Sequence, residues 1–214
     1  MACPKETNNR ALNGKFVMNK SLSDNLDSML ALQGLSWFTR KAISFATVTL
    51  TIKEYQDDKS LYHIDISSNA SGLSTTQENR TMDWEDRPHK DKIFGNVKGR
   101  SRLVKLSTTA FEPCEPYNES DTQFLQGKIL KDGTTASKFL EDEVVQSYVK
   151  NQDAGHGWSA EQVWNFEEVQ GKRYYTRRIV SRSSDGTKSE RVRLVYDYLG
   201  VTKEEDDGLA YGEE

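Results

Sequence analysis

Cysteine is scarce in this chain, and so are the signatures of ordinary catalytic sites. Two cysteines, Cys3 and Cys114, among 214 residues cannot build a disulfide scaffold, so both are expected as free thiols in a reducing compartment. No run of roughly 18 apolar residues occurs, which excludes a transmembrane helix. The first residues, MACPKETNNRALNGK, lack the apolar stretch of a secretory signal, and a cytoplasmic location is expected. The sequons at Asn19, Asn69, Asn79 and Asn118 then read as chance matches. His63, His89 and His156 are scattered without a partner at metal-ligand spacing, and no nucleophile elbow, phosphate-binding loop or dinucleotide fingerprint is present. Neither metal nor cofactor is expected.

What is present is a polar chain with enough apolar material for a core. Apolar residues make up 35% and charged residues 29%, with a mean hydropathy of −0.77. The net charge of −4 argues against a nucleic-acid partner, but it is unevenly spread. From Gly171 to Arg193 there are eight basic residues against two acidic ones, alternating with apolar residues as on a strand. The end, VTKEEDDGLAYGEE, is acidic and reads as a solvated tail.

Periodicity divides the chain. LNGKFVM reads as a short strand, and SLSDNLDSMLALQ as a helix capped by Ser23 or Asp24 and stopped by Gly34. A second helix is expected over residues 36–45, beginning within GLSWFTRKA, so the pair forms a helix–turn–helix. After Ala46 the period falls to two: TVTLTIKEY, LYHIDISSNA, STTQENRTMDW and DKIFGNVKGRSRLVKLS read as a meander of antiparallel strands. Residues 108–157 change character and read as an insertion, with one hairpin near Asp132-Gly133 and a short helix over KFLEDEVVQSYVKNQ. Strands return with SAEQVWNFEEV, KRYYTRRIVSRS and SERVRLVYDYL.

The residues Gly14-Lys15-Phe16, Asp24-Asn25-Leu26-Asp27, Gly34 with Thr39-Arg40-Lys41-Ala42, and the closing EQVWNFEEVQGKRYYTRRIV and DGTKSERVRLVYDY resemble the intracellular fatty-acid-binding proteins within the calycins. The resemblance covers residues 12–106 and 158–199 and leaves the insertion without a counterpart. It implies a mostly β fold: an antiparallel up-and-down barrel of about ten strands over residues 12–199, with a helical lid at about 23–45. Residues 1–11 and 200–214 would be flexible termini. The family's Arg-x-Tyr pair for a ligand carboxylate is missing; Arg191-Val192-Arg193 and Tyr196-Asp197-Tyr198 stand in that region, and Arg178 falls near the family's other inward arginine.

Strand alternation sets Tyr174, Thr176 and Arg178 on one face and Tyr175, Arg177 and Ile179 on the other. Whichever face is inward, an Arg and a Tyr enter the barrel, where the guanidinium needs a carboxylate or an anionic ligand. The alternative is pairing outside with Glu161, Glu190 or Asp197. The candidate ligand-binding residues are Arg178, Tyr174, Tyr196, Tyr198, Arg193, Trp164, Phe38 and Trp37, the last two pointing from the lid toward core or ligand. The expected function is binding of a hydrophobic, fatty-acid- or lipid-like small molecule, acidic or neutral, for transport or sequestration. Transient membrane contact would run through the lid. The alternative is a lipocalin-like isomerase or cyclase acting on a hydrophobic metabolite.

Overall fold

The computed structural model describes residues 1–71, 74–154 and 156–201; the acidic tail expected from residue 202 lies outside them. The chain runs β1 (Gly14–Met18), α1 (Asp27–Leu32), α2 (Trp37–Phe45), β2 (Val48–Gln56), β3 (Tyr62–Ala70), β4 (Ser74–Thr81), β5 (Arg87–Asp91), β6 (Gly95–Lys105), α3 (Glu119–Leu125), β7 (Glu143–Asn151), β8 (Ser159–Val169), β9 (Lys172–Arg182) and β10 (Ser189–Gly200). All ten strands form one antiparallel sheet in the order β4-β3-β2-β1-β10-β9-β8-β7-β6-β5. Every neighbour except the β1–β10 pair is therefore also a neighbour in sequence, the ordering of an up-and-down barrel. β4 and β5, the two ends of the ladder, are not paired; across the gap Arg80 of β4 donates from Nη1 to Ser147 of β7 at 2.6 Å and Ser101 of β6 at 3.3 Å.

The helix pair stands where it was expected, with shorter limits. Ser23 and Asp24 cap nothing; their side chains accept from and pair with the backbone of Val195 and Arg193, so residues 23–26 dock the lid onto β10. Gly34 ends α1 at φ +85°, the left-handed geometry that favours glycine. Ser36 then caps α2 by accepting the Thr39 N–H at 3.2 Å.

Three readings of the sequence are corrected. The helix expected over KFLEDEVVQSYVKNQ is strand β7, because Val144, Gln146 and Tyr148 face outward while Val145, Ser147 and Val149 face inward, a period of two that its β-branched residues support. The insertion proper is therefore shorter, ending near Asp142, and its helix is α3, capped by Asn118. The first eleven residues are not loose: Met1 and Cys3 hydrogen-bond β10 and β9, Asn9 donates to the carbonyls of Glu143 and Trp164, and Cys3, Thr7 and Asn9 are buried.

The barrel consequently has two cores. Inside lie Phe16, Leu50, Ile52, Ile64, Ile66, Trp164, Phe166, Tyr175 and Leu194. Outside, the insertion packs Phe124, Leu125, Ile129 and Phe139 against Val104, Val144, Val163 and Val180. Both faces of β8 and β9 are buried for this reason.

Candidate ligand cavity

Beneath the lid the interior is hollow, with a cavity of about 290 Å³. Its apolar wall comes from Leu26, Met29 and Leu30 on and beside α1, Ile43 of α2, Met18, Leu50 and Leu194. These are the inward positions of amphipathic elements, so the same alternation that builds the core also lines the void. A second cavity of about 260 Å³ lies between the α1–α2 turn and the β7–β8 connection, meeting the first at Gln33, Ile93 and Phe94.

Polar side chains also line it: Gln33 beside the lid, His89 and Asp91 on β5, and a cluster on β4 and β8 to β10. β4 contributes Glu78 and Arg80, β8 Gln162, β9 Arg177 and β10 Tyr196. Arg80 grips the Glu78 carboxylate through Nε at 3.1 Å and Nη2 at 2.6 Å. Burial would push the Glu78 carboxyl up, but Arg80 and Arg177 overcome it and hold it below the usual range, so Glu78 is ionised. Arg177 is 5% exposed, with its Nε donating to the Tyr175 hydroxyl at 3.0 Å and its guanidinium carbon 4.1 Å from the Trp164 ring centre. Burial pushes the phenols of Tyr175 and Tyr196 up, so both stay protonated. The rings of Phe16, Phe166, Tyr175 and Tyr196 pack at tilted angles with centroids 5.1–5.6 Å apart and fill the barrel beside the cavity, which of the four only Tyr196 lines.

The candidate residues divide by face. Tyr196 lines the cavity, Trp164 lies under Arg177, and Tyr198 packs on Phe16 beside them. Arg178, Tyr174 and Arg193 are on the outer face. Arg178 is fully buried there, donating to both carboxylate oxygens of Glu167 at 2.8 and 2.7 Å and to the carbonyls of Phe124 and Ile129 in the insertion. Arg193 joins the same carboxylate at 3.1 Å. The counterion is Glu167, not the Glu161, Glu190 or Asp197 considered from sequence, because β8 and β9 pair in a register that puts Glu167 beside this face. Tyr174 packs with Val169 and Val195. Trp37 and Phe38 point neither to core nor to cavity; they are 55% and 78% exposed and stack edge-to-face on one another at 5.0 Å. Ile43 is the α2 residue that reaches inside.

Arg177, Arg80, Glu78 and Gln162 were not singled out from sequence. Alternation already set Arg177 with Tyr175 and Ile179, but nothing in KRYYTRRIV chose between the faces. STTQENRT carries no apolar residue to mark its inward side. No group of three or more metal-ligating side chains is found among the described residues. No helix there is long and apolar enough to cross a membrane.

No family model matches the chain. It is similar to a probable pericyclase, scpY, from Mollisia scopiformis, with 29% identity over 201 residues covering 93% of this chain and 95% of the relative. It is likewise similar to the pericyclase pydY from an Acremonium species, at 29% identity over 206 residues covering 94% and 98%. Among solved structures, a Schistosoma mansoni fatty acid binding protein in complex with arachidonic acid aligns with TM-score 0.48 and 16% identity, covering 88% of this chain and 96% of that one. A fatty-acid-binding protein from Drosophila melanogaster brain aligns with TM-score 0.47 and 12% identity, covering 86% and 96%. Ten antiparallel strands in near-sequential order around a lidded, hollow interior make this chain a nearly closed up-and-down β-barrel.

Proposed function

We propose that the barrel takes up a hydrophobic small molecule beneath the helical lid and, as a pericyclase, folds it for a concerted ring closure. The observation that carries this reading is the cavity itself: partly open, mostly apolar under the lid, with a cluster of hydrogen-bonding groups on β4 and β8 to β10. Such a reaction transfers no group and needs no nucleophile. The protein's task is to replace water around a flexible chain and hold its reacting carbons in one folded geometry. The two curated relatives named as pericyclases support the finer reading, because alignments spanning more than nine tenths of both partners make them nearly equal to this chain in length. Exposed Trp37, Phe38 and Phe45, with Lys41 beside Trp37, support loading from a lipid surface.

The test is to incubate purified protein with synthetic linear polyenes bearing a polar end and to follow isomers of unchanged mass by chiral chromatography with mass spectrometry. A saturable, stereoselective conversion faster than in buffer is expected. Saturable binding without conversion would leave transport or sequestration as the function, and no binding of any apolar probe would end both readings.

A further inference from the structure

We propose that Arg177 is a catalytic hydrogen-bond donor whose guanidinium end takes an oxygen conjugated to the substrate's reacting π system. The inference rests on the pericyclase reading above and assigns it a residue and a substrate feature.

Three arginines at this level of the barrel are treated differently. Arg178 is saturated by Glu167 and the insertion, and Arg80 is committed to Glu78. Arg177 has only its Nε bond to Tyr175; neither terminal nitrogen donates to a partner among the described residues, and Nη2 is fully buried. No carboxylate stands within ion-pair distance of it among those residues. A buried guanidinium left this way is costly unless something else meets it. Arg177 lines the cavity, and its other terminal nitrogen, Nη1, is unpaired but not sealed in, so a ligand oxygen can meet the guanidinium there.

Its surroundings also fix its direction. The ring centres of Trp164, Tyr175 and Tyr196 lie 4.1, 5.6 and 5.7 Å from the guanidinium carbon. Aromatic faces hold the cation and compensate part of its charge without occupying its N–H groups. The result is a donor oriented before the ligand arrives. Donation to an oxygen conjugated with an alkene draws electron density toward that oxygen and makes the alkene a better acceptor. In a [4+2] closure two carbon–carbon σ bonds form, and three π bonds become one. No proton or electron pair leaves the substrate, so Arg177 keeps its proton throughout and stabilises only the charge displaced toward oxygen.

The experiment uses the full chain and three probes: diphenylhexatriene, a hydrocarbon; Prodan, a neutral conjugated ketone whose emission moves red when its carbonyl accepts a hydrogen bond; and cis-parinarate, a polyene carboxylate. Arg177→Met and Arg177→Lys are compared with the parent, their folding checked by circular dichroism. All three proteins are expected to take up diphenylhexatriene, and Arg177→Met no more weakly than the parent. Prodan should bind the parent with red-shifted emission, and Arg177→Met about tenfold or more weakly with blue-shifted emission. Arg177→Lys should fall between. Infrared spectroscopy of Prodan bound to the parent should show a lowered carbonyl stretch, a readout that needs no variant. Unchanged Prodan emission in Arg177→Met, or a carbonyl band at its hydrocarbon-solvent position, would overturn the proposal. So would uptake of diphenylhexatriene without Prodan, or a dependence on Arg177 confined to parinarate, which would make the residue a carboxylate anchor. Failure of the parent to bind diphenylhexatriene would remove the cavity reading itself, and this assignment with it.

Discussion

Glu54 sits on the inner face of β2 at the end of the barrel away from the lid, and changing it to glutamine should alter how stability depends on pH. Its Oε2 accepts the Leu12 N–H at 2.8 Å, while Oε1 is buried without a partner. Burial pushes its carboxyl up to about 7 from an ordinary 4.5, only partly offset by the Leu12 bond and nearby Arg10. Between those values the folded protein holds a proton that the unfolded chain has released, so stability falls as pH rises through the window. Below 4.5 both states are protonated and the effect is absent; above 7 it is complete, at about 3 kcal/mol. Glu54→Gln keeps an acceptor for Leu12 and cannot ionise. Any cost of the exchange that does not involve ionisation is the same at every pH and shifts the whole curve. Urea unfolding of both proteins from pH 4 to pH 8.5 should show the variant gaining about 3 kcal/mol on the parent across the series, or roughly 6–12 °C in Tm for a chain of this size. A difference that stays flat, or that grows toward acid, would refute the reasoning.

Glu167→Gln should cost about 3–5 kcal/mol in chemical denaturation, because it leaves the fully buried Arg178 without its countercharge; Arg178→Met combined with Glu167→Leu should recover most of that loss. Gly34→Ala should destabilise by about 1–3 kcal/mol, since φ is +85° and the added carbon would stand 2.7 Å from His156 Nδ1; an unchanged Tm would contradict the turn geometry. Phe124→Ala should cost about 3–5 kcal/mol and loosen the insertion, visible as faster amide exchange over residues 118–140. Trp37→Ser with Phe38→Ser should leave stability within about 0.5 kcal/mol but slow transfer of a fluorescent apolar probe from anionic vesicles; equal transfer rates would remove the lid's membrane role.

Much of the frame could be read from residue order, because each barrel strand carries its own alternation and each turn its own chemistry. Gly34 and Ser36 mark the lid by local effects alone, so the lid was legible. The misreading of β7 has a clear cause: EVVQSYV is apolar on both faces, and a strand buried on both sides loses the alternation that identifies it. The same double burial hid the site. KRYYTRRIV offers an arginine to each face, and only the insertion, which lacks any pattern tying it to β9, decides that Arg178 is the structural one and Arg177 the free one. Trp37 and Phe38 misled for another reason. Aromatic residues on a lid suggest a ligand contact, yet helical geometry turns Ile43 inward and leaves those two outside.

The insertion also explains how this barrel can keep a hollow centre. A cavity in a small β domain gives up packing that would otherwise stabilise it. Here Phe124, Leu125, Ile129 and Phe139 bury the outer faces of β6 to β9, which a bare barrel would expose to water. Fully burying each such side chain contributes on the order of 1.5–3 kcal/mol, so these four can offset a substantial part of what an unfilled interior forgoes. The buried ion network of Arg178, Glu167 and Arg193 joins the insertion to β9 from behind, one residue from Arg177. Strand β9 is thus clamped on its outer side while its inner side carries an unsatisfied donor to the cavity. Stability and chemistry are assigned to opposite faces of one strand, which leaves the cavity wall free to vary with the ligand while the fold is held from outside.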